Sequence, residues 1–145
     1  MSETMGWSND GRVSVTVHGP STPSASEWQA YVNHIRSFPD LRGRRVLVLS
    51  HGGGPDALQR KALGEANRVA GPATLAIVTD NRVMRAVGAV LAPFNPLIRC
   101  FPLSELKRAL AYLDLTPSEQ SAALHMAAAL ELRLGLESIA KRHAL

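Results

Sequence analysis

The chain has 145 residues, 46% hydrophobic and 19% charged, which suits one domain with a buried core and argues against a disordered chain. Its single cysteine, Cys100, excludes a disulfide framework within the chain, in keeping with a reducing, cytoplasmic compartment. The net charge of +4 is scattered: the densest basic cluster, Arg36, Arg42, Arg44 and Arg45, contains Asp40 and no interleaved aromatics, so it reads as a solvated loop and not as a nucleic-acid surface.

Residues 1–11 are polar and lack the basic and apolar regions of a signal peptide. They read as a mobile lead, with Trp7 the residue suited to docking. Nowhere does an apolar run approach the roughly 20 residues of a membrane helix, so no membrane span is expected. In residues 12–18, Val13, Val15 and Val17 alternate with polar neighbours, the pattern of a half-buried strand. Ser24 and Glu27 have capping-box spacing, and Trp28, Tyr31, Val32 and Ile35 follow at helical intervals. Residues 45–50 form a continuous apolar run, as in a strand covered on both faces.

A glycine loop follows, and then a helix that Pro55 would open, with Asp56 in its first turn and an apolar face of Leu58, Ala62, Ala66 and Val69. Residues 73–79 supply the next strand. Asp80 or Asn81 caps a helix whose face uses Val83, Val87, Val90 and Leu91. Residues 97–101 make a short fourth strand, and Ser104 caps a helix carrying Leu106, Ala109, Leu110 and Leu113. Thr116, Pro117 and Glu119 begin a last helix that nothing interrupts to about Arg142 except one tolerable glycine, Gly135.

Alternating strands and helices predict an α/β fold: a sheet of about four strands, mostly parallel or mixed, with helices on both faces and a long C-terminal helix. The expected organisation is a lead at 1–11, an α/β domain at 12–115 and a helical extension at 116–145.

Candidate chemistry gathers at the carboxyl ends of the strands, where open α/β sheets hold ligands. Ser50, His51, Gly52, Gly53, Gly54 and Asp56 form one such loop, and Thr79, Asp80 and Asn81 could line the same rim. The glycines permit close backbone approach, and a helix N-terminus presents free N–H groups to an anion. The loop carries neither a Walker nor a dinucleotide fingerprint, so a plain strand-to-helix connection and a small-anion or partner-contact site both remain open. Ser50 and His51 are adjacent on a strand and so point to opposite faces, a poor arrangement for a catalytic pair. No catalytic residue, cofactor or metal site is assigned: the five histidines form no His-x-x-x-His pair and Cys100 has no Cys-x-x-Cys partner.

In the last helix, Ala129, Leu132, Leu136 and Ile139 share a stripe beside Met126, Leu130 and Leu134. That stripe either folds back on its own domain or joins copies of the chain. Self-association is the expectation, because a sheet already covered by four helices has little room for a fifth.

Several features together resemble the SpoIIAA-like, or STAS-like, superfamily (sulfate transporter and anti-sigma factor antagonist). They are the alternating first strand, Arg45-Val-Leu-Val-Leu-Ser50 with its loop and helix, Ala76-Ile-Val-Thr-Asp80, and Ile98-Arg-Cys-Phe-Pro-Leu-Ser-Glu-Leu106. The resemblance spans about residues 12–115. It implies a mixed sheet, and a regulatory role in protein–protein contact with no catalysis. The alternative is a small-ligand domain taking an anion or lipid headgroup at Gly52–Gly54. The phosphorylated Asp-Ser-(Ser/Thr)-Gly signature of the antagonists is replaced here by Ser50-His51-Gly52-Gly53-Gly54, so a phosphorylation switch is not implied.

Overall fold

A computed structural model describes residues 3–82, 85, 86, 89 and 95–143. The fold is α/β, built on a five-stranded sheet in the order β1-β2-β3-β4-β5. The strands are β1 (Met5–Asp10), β2 (Val13–His18), β3 (Arg45–Ser50), β4 (Thr74–Val78) and β5 (Ile98–Phe101). β1 runs antiparallel to β2, and the remaining neighbours are parallel. The residues expected to be a mobile lead thus supply a fifth, edge strand. Trp7 lies within it, its ring 5.2 Å from that of Tyr31.

Spatial order follows chain order without reversal. Right-handed crossovers between successive parallel strands then place their helices on one face. α1 (Ala25–Arg36) and α2 (Ala57–Ala70) lie there side by side, with Trp28, Tyr31, Val32 and Ala66 in one cluster. The Trp28 indole N–H donates to the Gln59 carbonyl at 2.8 Å and ties the two helices together. The capping box predicted for α1 is present, with Ser24 and Glu27 bonded reciprocally. The apolar face predicted for α2 is present only in part: Ala66 is buried and Ala62 packs against the same cluster, but Leu58 and Val69 are 80% and 90% exposed, and Ala70 is the other buried position. The expected positions Val83, Val87, Val90 and Leu91 lie outside the described residues.

The opposite face of the sheet is covered by α3 (Leu106–Tyr112), α4 (Pro117–Arg133) and α5 (Ile139–His143). Val13, Val15, Val17, Leu47 and Leu49 pack there with Leu106, Leu110, Ala123, Ala127 and Leu130. The capping box of Thr116 and Glu119 opens α4 as predicted. Ser104 does not cap α3; it lies in a short 3-10 turn, and the Leu103 N–H at that turn is bonded by Asp80 instead.

The last helix also ends earlier than its sequence pattern suggests. Gly135 takes φ 72°, a left-handed conformation that glycine adopts without a Cβ penalty. The Gly135 N–H donates to the Leu132 carbonyl at 3.1 Å and the Leu136 N–H to the Glu131 carbonyl at 2.9 Å, the double bond of a Schellman turn. The chain reverses there, and α5 folds back onto the domain.

This turn and the one-sided winding take four of the six residues of the expected oligomerisation stripe into the domain itself. Leu130 and Ile139 belong to the core, and Met126 and Leu136 pack against it. Ala129 and Leu132 are exposed. The four-helix covering assumed from the sequence fails because α1 and α2 share one face and the C-terminal segment covers the other.

Substitutions in α4 should separate the two sides of this helix. Leu130→Glu is expected to cost at least about 3 kcal/mol in urea denaturation, by losing core packing and burying a charge. Leu132→Glu, at a position 81% exposed, should stay within about 0.5 kcal/mol of wild type. Equal losses at both positions would contradict this packing.

Candidate functional site

The loop after β3 is held by its own backbone and by its neighbours. Ser50 is 1% exposed. Its hydroxyl donates to the Gly53 carbonyl at 2.6 Å and accepts from the Gly52 N–H at 3.1 Å. The Gly53 N–H donates to the Gly19 carbonyl at 2.8 Å, and the His51 N–H to the His18 carbonyl at 2.9 Å. A Cβ at Gly53 would collide with the backbone oxygens of Gly19 and Ser21. Glycine is therefore required there for packing between the β2 and β3 exits, and substitution at Gly53 would act on folding before it acted on any ligand.

Asp56 is the N-cap of α2 and not a first-turn residue. Its carboxylate accepts from the Gln59 N–H at 2.8 Å, and the Gln59 side chain accepts from the Asp56 N–H at 2.9 Å. A carboxylate of the chain itself thus occupies the positive end of the helix, where a bound anion would sit.

The two predicted halves of the rim do meet. The Asn81 side-chain amide donates to the Gly52 carbonyl. Thr79 is fully buried, and its hydroxyl accepts from the Asn81 N–H at 3.1 Å. Asp80 is exposed and accepts from the Leu103 N–H at 3.0 Å, which bridges the rim to the turn before α3. Gly54 is half-buried between the loop and Pro55.

His51 turns away from Ser50. Its Nε2 lies 2.7 Å from Glu131 Oε2, with the His51 side chain 12% exposed and that of Glu131 fully buried. Glu131 also accepts from the Ile139 N–H at 2.7 Å, the Ser138 hydroxyl at 3.0 Å and the Ala140 N–H at 3.2 Å. The Schellman turn at Gly135 creates this arrangement by bringing residues 138–140 back over the end of α4. Burial alone would push the Glu131 carboxyl up, but the bonds from His51, Ile139, Ala140 and Ser138 together hold it below the usual range. With Ser50 bonded to Gly53 and His51 to Glu131, the pair has no shared proton path.

Glu131 carries no local signal of this role, because His51 lies 80 positions away in sequence. Its one clue is an acid among Ala127, Leu130 and Leu134 in the apolar part of the helix.

No protein-family model, curated protein or solved structure matches the chain.

Elsewhere, the basic cluster is engaged locally. Arg42 pairs with Asp40 at 3.0 Å, Arg44 stacks 4.2 Å over the Phe38 ring and bonds Ser14, and Arg45 donates to Thr74. Cys100 is half-buried in β5. Among the described residues, no group of three His, Cys, Asp or Glu could hold a metal ion, and no helix is long and apolar enough to cross a membrane.

A residue the sequence pattern passes over is His18. The last two polar positions of β2 do not face solvent; they lie beneath α1, with Thr16 2% and His18 3% exposed. The His18 ring stacks on Trp28, centroids 6.3 Å apart. Burial pushes its pKa down to about 4, against a smaller opposing pull from Glu27.

Two predictions follow from these buried groups. Glu131→Leu should cost on the order of 3–5 kcal/mol in chemical denaturation, because His51 and three donors around residues 138–140 lose their acceptor. A change under 1 kcal/mol would show that the carboxylate is not the pin of the C-terminal segment. For His18, the unfolded chain takes up a proton near 6.5 and the folded chain only near 4, so its contribution to stability is complete above 6.5 and is lost as pH falls toward 4. The expected loss is about 3 kcal/mol across that window, and His18→Leu should flatten the curve there. Urea midpoints measured at intervals between those pH values check it.

Proposed function

We propose that this chain is a non-catalytic, cytosolic, STAS-like regulatory module that works through protein–protein contact, with the outer line of α2 and the adjoining rim loop as the contact surface. The observation that carries this reading is the exposure of Leu58 and Val69. They lie about three turns apart on one line of α2, while the inward side of that helix is taken by Ala66 and Ala70. Leu58 stands next to the α2 cap and the braced loop, so an apolar anchor sits beside a rigid, polar rim. An apolar centre beside a polar rim is the usual layout of a contact site.

Two further features support it. The engagements of Ser50 and His51 with Gly53 and Glu131 favour a shaped surface over a reactive one. The mixed sheet is of the kind the STAS-like resemblance implies. The alternative, an anion or lipid headgroup at Gly52–Gly54, finds less support. The Gly52 and Gly53 N–H groups are already bonded, and Asp56 places a negative charge beside them.

Affinity capture from the native cell, with wild type and Leu58→Glu/Val69→Glu as paired baits, tests the surface. Loss of the bound partner from the variant, with an unchanged melting midpoint, is the expected outcome. Identical bound sets would remove α2 from the interface. Light scattering over a concentration series distinguishes a second copy of this chain from a different protein.

A further inference from the structure

β2 ends under α1 with polar side chains cut off from water. Thr16 and Tyr31 satisfy one another, their hydroxyl oxygens 3.0 Å apart. His18 has no equivalent: its Nδ1 is buried and has no hydrogen-bond partner among the described residues. Folded proteins rarely leave such an atom unpaired.

The ring stands on the wall of a cavity of about 70 Å³ between the sheet and the crossover helices. Trp28, Tyr31, Val48, Ala73 and Ile77 form much of the rest of that wall. A wider opening of about 400 Å³ by Gly64, Arg68 and Pro72 shares Asn67, Asn95 and Ile98 with the cavity, and so marks its outer side. The Asn95 side chain is already engaged there, donating to the Ala73 carbonyl and accepting from the Leu97 N–H, each at 2.9 Å.

We propose that this cavity binds a small, mainly apolar molecule about the size of one aromatic ring, bearing a hydroxyl that pairs with the His18 imidazole. Size sets the first limit. A buried water needs roughly 10–15 Å³ of such space, so the cavity holds about five to seven waters or a ligand with a similar number of heavy atoms, phenol's seven being the upper end. The wall sets the second. Trp28 and Tyr31, with ring centroids 5.3 Å apart, offer aromatic surface to a flat apolar body. Water alone is a poor occupant, because it needs two to four polar partners and this wall is largely hydrocarbon.

An ionised ligand is disfavoured for the same reason, since its charge would be buried without a counter-charge. A neutral hydroxyl both donates and accepts, so it suits His18 in either tautomer. The backbone connects this site to the rim: the His18 carbonyl accepts from His51 and the Gly19 carbonyl from Gly53, and Pro55 and Leu63 also line the cavity. The proposal stands independently of the contact surface on α2.

The test uses the whole chain with phenol and benzene as probes, read by long-range ¹⁵N resonances of the His18 ring and by Trp28 fluorescence. Phenol should bind saturably and shift the His18 ring nitrogen resonances, with benzene about ten-fold weaker for want of the hydrogen bond. In His18→Leu the two probes should bind alike, and Ala73→Phe, which fills the cavity, should abolish both. A His18 resonance unmoved by phenol in the wild type would overturn the proposal, and that measurement needs no variant to fold. Equal wild-type affinities for the two probes, or binding that survives Ala73→Phe, would overturn it as well.

Discussion

The direction in which the sheet is wound constrains everything else. β2 to β5 follow one another across the sheet in chain order, and the crossovers through α1 and α2 lie on one face. A sheet buried on that face alone would present Val13, Val15, Val17, Leu47 and Leu49 to water. The C-terminal helices are therefore the second half of the core, and the domain is incomplete without them. The same progressive order also lacks the reversal at which doubly wound sheets open a ligand crevice. Instead of such a crevice, the carboxyl rim carries a closed set of hydrogen bonds among residues 50–56 and 79–81.

Glu131 fastens the two halves together. One carboxylate, fully buried, receives the imidazole of the rim loop and three donors from the start of α5. A charge in that position is tolerable because each oxygen accepts two hydrogen bonds. The arrangement makes the loop geometry depend on the reversal at Gly135, far away in sequence. The loop is thus braced from both sides: by Gly19 and the β2 exit on one face of the sheet, and by α4 and α5 on the other.

Among the described residues, the crossover side carries a cavity. Trp28 and Tyr31 give α1 a wide aromatic footprint, but the positions they cover on β2 are Thr16 and His18. α2 contributes small residues, Ala66 and Ala70, to the same layer and turns its larger apolar residues outward. Small side chains above and polar side chains below leave the space against which His18 stands. The outward stripe of α2 and the inward cavity are two consequences of one helix orientation.

Much of the secondary structure was legible locally. The apolar run of β3, the capping boxes at Ser24 and Thr116, and the alternation of strand and helix each arise from interactions within a few residues, so spacing alone reveals them. The α/β class follows from that alternation. β1 was not legible, because a short polar strand containing Met5, Gly6 and Trp7 is a strand only by virtue of pairing with β2. The burial of His18 was hidden for a related reason: period-two alternation says which residues share a face of the sheet, not whether a helix covers it. The inward side of α2, the end of α4 at Gly135 and the meeting of His51 with Glu131 are set by packing between segments far apart in the chain. Sequence by itself determined the local elements, because their hydrogen bonds and caps close within a turn or a strand. The tertiary structure alone decided which faces are buried and which polar groups meet, because those depend on the winding of the sheet and on where the C-terminal helices come to rest.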